Sequence, residues 1–193
     1  MARKKYEFRP DPTGMNWISK LVLTKKQQKS LTKWLLYGLI CVAGLLLQDS
    51  LLSKIRILTG GFDLAPALIV LISVMEGCEN GSVFALAASS VYVFSGSAQG
   101  RYCIVILTFA AVLAAAFRQS YLRRGFGSDL ICTGGAMLVY ELAVFFVGLG
   151  LGLTYSARWV AFFMTALIST LAAAALYRPL RHIGTIGGNL WKE

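Results

Sequence analysis

The sequence predicts an all-α polytopic membrane protein: a helix bundle of about six transmembrane spans with both termini in the cytoplasm. Three observations predict it. Of the 193 residues, 56% are hydrophobic and only 15% are charged, and the mean hydropathy is +0.64. Water-soluble domains carry ~25% charged residues, so this chain lacks the polar material to cover a water-facing surface. The apolar residues gather in long runs, and the basic residues lie between those runs. The same composition excludes a disordered chain, and four cysteines are too sparse for a disulfide-stapled miniprotein.

A helix that crosses the hydrocarbon core needs ~20 mostly apolar residues. The runs 34–52, 62–75, 81–94, 102–117, 130–153 and 159–177 are the six candidates. The second and third are short. They either borrow flanking residues and thin the bilayer, or form a buried re-entrant hairpin beside four full spans. Both arrangements leave the termini on one side. Trp34, Tyr102, Trp159 and Tyr177 stand at run ends, where amphipathic rings prefer the interface. The chain therefore divides into a basic cytoplasmic arm (1–33), a helix bundle (34–177) and a basic cytoplasmic tail (178–193).

Orientation follows from the basic residues. Arg3, Lys4, Lys5, Arg9, Lys20, Lys25, Lys26, Lys29 and Lys33 precede the first run. Arg118, Arg123 and Arg124 follow the fourth, and Arg178, Arg181 and Lys192 follow the sixth. The opposite side has only Lys54, Arg56, Arg101 and Arg158. Retention of basic loops places the richer side, with both termini, in the cytoplasm. It also accounts for the net charge of +10 without a nucleic-acid partner. The arm has no small-residue cleavage site after its first apolar run and reads as a retained, topology-setting segment. Trp17, Ile18, Leu21 and Val22 fall on one side of a helix there, so anionic lipid or a cytoplasmic docking partner is its alternative contact.

The inventory for catalysis is poor, and the chain is read as a non-enzyme with no cofactor and no metal. His182 is the single histidine and lies in the basic tail. Cys41, Cys78, Cys103 and Cys132 have no metal-ligand spacing. The glycines at 60–61 and 184–188 lack the Lys-Ser/Thr ending of a phosphate loop.

Small residues carry more information. Glu141 stands mid-way along the fifth run, where an ionised acid costs ~2.5–3.5 kcal/mol on insertion scales. Gly134, Glu141, Gly148 and Gly152 share one stripe, which turns the acid toward protein and away from lipid. Gly81, Ala85 and Ser89 form a second ladder in the third run. Both serve either internal packing or a partner interface, and Glu141 is either an internal hydrogen-bonded group or a polar ligand site. Glu76 and Glu79 read as a solvated turn on the cytoplasmic side.

The stretch Gly60-Gly61-Phe62-Asp63-Leu64, an apolar run, and then Met75-Glu76-Gly77-Cys78-Glu79-Asn80-Gly81 resembles the rod shape-determining MreD family of bacteria. The resemblance covers about 47–117. The chain departs from the family at Phe62, where proline is frequent, and at 91–96, which lacks a common acidic residue. The resemblance implies a non-catalytic membrane subunit of the cell-elongation complex, tied to peptidoglycan synthesis and to MreC, RodA and its transpeptidase. It makes Asp63 a further interface candidate beside Gly81, Ala85, Ser89 and the Gly134–Gly152 stripe. Association would proceed by helix-to-helix docking on small-residue faces. The alternative, from another class, is the substrate-binding membrane subunit of an energy-coupling-factor vitamin transporter. That reading asks for convergent polar groups near the outer surface, drawn from Gln48, Asp49, Asp63, Gln99 and Arg101.

Overall fold

The computed structural model describes residues 25–50, 61–123 and 125–186. The segment with Trp17 to Val22, the loop with Lys54 and Arg56, Arg124 and Lys192 lie outside the described residues. Seven α-helices follow in order: α1 (Lys25–Ser50), α2 (Leu64–Glu76), α3 (Cys78–Phe94), α4 (Cys103–Tyr121), α5 (Phe126–Gly150), α6 (Trp159–Ala175) and α7 (Tyr177–Gly184), with a 3-10 turn at Ser156–Arg158. No strand occurs among the described residues.

Among the described residues, four helices are long and apolar enough to cross a membrane: α1, α4, α5 and the 3-10 turn continued by α6. The chain is therefore read as a membrane protein whose outer surface meets lipid. Its surface fits: Leu35, Leu39, Val83, Val105 and Ile131 point outward, while Ser73, Ser89, Asp129, Thr133, Glu141 and Ser169 are buried.

At the centre stands α2, with all 13 residues buried. It packs against every other α-helix of the bundle. Its sequence, Leu-Ala-Pro-Ala-Leu-Ile-Val-Leu-Ile-Ser-Val-Met-Glu, is apolar on all sides, as a helix surrounded by helices requires. Pro66 falls in its first turn, where the missing N–H would have had no intrahelical partner. At 1.5 Å per residue, α2 is only ~20 Å long against a ~30 Å hydrocarbon core.

Several boundaries differ from the sequence reading, and α1 begins at Lys25, nine residues before the first apolar run and inside the expected arm. α5 starts four residues before 130, because Asp129 in its first turn is buried against a cation and need not stay in water. It stops at Gly150, and Gly152 (φ 69°) carries the left-handed conformation that ends the helix. Residues 177–184 form a helix and not an open tail: Tyr177 and Leu180 are buried, and α7 packs on α1 and α2.

A one-residue turn at Gly77 (φ 90°) reverses the chain between α2 and α3. The close approach that follows depends on Gly81, where a Cβ would run into the Ser73 carbonyl. The helices alternate in direction, so Lys33, Glu76, Arg118, Asp129 and Tyr177 gather at one end of the bundle, here the basic end. Gln48, Asp63, Gln99 and Arg158 gather at the far end.

Candidate functional site

Because α2 is short, both of its ends need partners from inside the bundle, and each end has a polar cluster. Terminal backbone groups that face no water must be satisfied by side chains.

At the basic end, Lys33 Nζ lies 2.5 Å from Glu76 Oε2, and the Tyr37 hydroxyl donates to Glu76 Oε1 at 2.8 Å. Arg118 Nη1 donates to the Val74 carbonyl at 2.5 Å, while its Nε sits 2.6 Å from Asp129 Oδ1. The Tyr177 hydroxyl donates to Asp129 Oδ2 at 3.1 Å. Two cations thus stand at the C-terminus of α2, where the helix dipole favours them. The expected solvated turn is corrected in part: Glu76 is buried and paired with Lys33, and only Glu79 is exposed. Arg118 pairs with Asp129.

At the far end, the side chains meet the N-terminus of α2. Ala65 N–H donates to Gln48 Oε1 at 2.9 Å, and Gln48 Nε2 donates to Asp63 Oδ1 at 3.0 Å. Asp63 N–H donates to Ser169 Oγ at 2.8 Å, and Gly61 N–H to Thr165 Oγ1 at 3.0 Å. Asp49 accepts the Ser97 hydroxyl at 2.9 Å, which ties the end of α1 to the α3–α4 loop.

Beside this cluster the carboxyl groups of Asp63 and Glu141 lie within hydrogen-bonding reach of each other. Two carboxyls this close repel each other when both are charged. Glu141 is 1% exposed, and its Oε1 has no hydrogen-bond partner among the described residues. Both acids line an open cleft of about 880 Å³, together with Gly61, Gln99, Arg158 and Thr165.

The structure brings together some of the sequence-level candidates and separates others. Asp63 and Glu141 meet, although 78 positions apart in a chain whose helices alternate. Gly134 faces Thr170 of α6, with 3.4 Å from a built Cβ to its methyl. Gly148 faces Thr154 in its own loop, and Gly152 lies beyond the helix end. Gly81 and Ala85 are buried within the bundle, and Ser89 bonds Thr108 of α4 at 3.0 Å. These small residues are therefore used inside the chain. Of the five far-end polar groups expected, Asp63 and Gln99 line the cleft; Glu141, Arg158 and Thr165 join them.

Sequence reasoning missed Lys33, Arg118 and Asp129 as interior residues. Their signal was position: each stands at the margin of an apolar run on the same side, with opposite signs available to pair. His182 is exposed, and among the described residues no group of metal-ligand side chains occurs. A small apolar groove of about 160 Å³ opens between α1 and α3 over α2, lined by Gly38, Cys41, Ala65, Ile69, Ala87 and Ala88.

Compared with family models, curated proteins and solved structures, the chain matches none.

Proposed function

We propose that the protein is a non-catalytic subunit of the bacterial cell-elongation complex, an MreD-like bundle of six spans in the plasma membrane with both termini in the cytoplasm. The observation that carries this reading is where the resembling segments fall. Gly61 to Leu64 opens the central helix, and Met75 to Gly81 closes it and turns the chain into α3. The residues that resemble the family are thus the pivots of the bundle. A helix hairpin with buried charges at both ends is a rigid body against which other membrane helices can pack.

Docking then uses what the bundle leaves open. In lipid, association rests on close packing at small residues. The groove between α1 and α3 presents Gly38, Ala87 and Ala88 to a partner span, whereas the Gly134 to Gly148 face is already covered by this chain.

The test is recovery of the tagged protein from native membranes in mild detergent. Co-purification of MreC, RodA or the transpeptidase is the expected result. Ala88→Leu, which fills the groove, should insert normally and lose that recovery. Recovery unchanged by Ala88→Leu sinks the docking face, and absence of all three partners sinks the reading.

The far-end cleft favours a second reading, the substrate-binding subunit of an energy-coupling-factor transporter. Convergent polar groups near the outer surface are what that class needs. Recovery of a pair of transport ATPases with their coupling subunit would establish it.

A further inference from the structure

We infer that the far-end cleft binds a small zwitterion, with its ammonium group on Asp63 and Glu141 and its anionic group on Arg158. The inference requires neither reading of the protein's partners.

The floor of the cleft asks for a donor. Asp63 and Glu141 form a pair of adjoining carboxyls there. Gln48 and the Asp63–Glu141 contact occupy part of its acceptor capacity. Glu141 Oε1 remains buried without a partner among the described residues, and Glu141 lines the cleft. A buried acceptor left unmade costs ~1–3 kcal/mol, more for a charged group, so a ligand N–H that reaches it recovers that loss.

The rim asks for an acceptor. Arg158 is exposed and lines the same cleft, and among the described residues no carboxylate besides Asp63 and Glu141 does. Its guanidinium matches a carboxylate or phosphate with paired N–H bonds. Gln99 lines the same cleft as a neutral group able to accept or donate, whereas the Thr165 hydroxyl already donates to the Ala161 carbonyl. A simple cation would meet the field of Arg158, and a simple anion that of the carboxyl pair. A molecule with both charges satisfies both poles.

One chemistry has two sources: a free amino compound, or the primary ammonium and phosphate of a phosphatidylethanolamine headgroup. Phosphatidylcholine has no N–H and cannot donate to Glu141.

The experiment uses the full chain in phosphatidylcholine nanodiscs and follows its thermal midpoint. The probes are O-phosphoethanolamine and the ω-amino acids from glycine to 6-aminohexanoate, with butylamine and butyrate as single-charge controls. Stabilisation that peaks at one zwitterion length and exceeds both controls is expected. Glu141→Gln and, separately, the exposed Arg158→Ala should each weaken it by about tenfold or more. Arg123→Ala, at the other end, should leave it unchanged. Stabilisation that persists in discs containing phosphatidylethanolamine assigns a free compound; loss of the added effect there, with a raised starting midpoint, assigns the lipid. No stabilisation by any zwitterion in phosphatidylcholine discs overturns the inference, as does equal stabilisation by butylamine alone. Arg158→Ala lies on the surface, so its result stands even where Glu141→Gln fails to fold.

Discussion

Arg118 places its Nε 2.6 Å from Asp129 Oδ1 in the interior of the bundle, and the same guanidinium caps the Val74 carbonyl of the central helix. One side chain thereby neutralises an acid of α5 and satisfies the end of α2. Removal of one partner from a buried pair costs up to about 3–5 kcal/mol, less here because Asp129 keeps the Tyr177 hydroxyl. Arg118→Met should therefore lower the thermal midpoint in detergent sharply. The double change Arg118→Met with Asp129→Leu should regain part of the loss, though not the cap on Val74. A double variant no better than the single one would show that the pair itself contributes little.

The Lys33–Glu76 pair gives a graded expectation. Lys33→Ala strands Glu76 in a buried position and falls in the same range of about 3–5 kcal/mol. Tyr37→Phe removes one hydrogen bond to a charged group, about 1.5–3 kcal/mol. Denaturation of both variants should rank them in that order. Equal or negligible effects would mean that Glu76 is hydrated and the pair exposed.

Much of this fold is written in the apolar runs. Long helices such as α4 and α6 appear where composition places them, because lipid leaves an isolated backbone no alternative to the helix. The interior charges are less legible. Lys33 and Glu76 are separated by 43 positions, and periodicity says nothing about which run packs on which. Glu76 read locally is an acid next to glycine, a turn residue; only the packing of α1 on α2 brings Lys33 to it. Residues 177–184 were hidden for a related reason. Their charged residues resemble a solvated tail, while Tyr177, Leu180 and Gly184 are buried. The candidate cleft was half legible: Glu141 stood out as an acid in an apolar run, and Arg158, on a short loop, did not.

Glycine positions separate packing from propensity. A Cβ at Gly81 would strike the Ser73 backbone, which a small side-chain rotation cannot relieve. Gly81→Ala should push α3 from α2 and destabilise the protein. At Gly38 a Cβ meets nothing within 4 Å, so Gly38→Ala should gain up to about 1 kcal/mol of helix propensity. Thermal midpoints that move in opposite directions confirm the contrast. A neutral Gly81→Ala would contradict the close α2–α3 approach.

The six-span arrangement has its own test, since α2 and α3 are shorter than the four long helices. If both cross, the α3–α4 loop and the α2–α3 turn lie on opposite sides of the membrane. Arg101 and Glu79 are exposed at those two places. On a Cys78→Ser background, Arg101→Cys should react with a membrane-impermeant maleimide in intact cells. Glu79→Cys should react only after the membrane is opened if, as proposed, the basic loops hold that end in the cytoplasm. Labelling of both in intact cells would reduce α2 and α3 to a re-entrant hairpin, and the reverse pattern would invert the protein. The buried Cys41, Cys103 and Cys132 supply the unlabelled baseline in the same experiment.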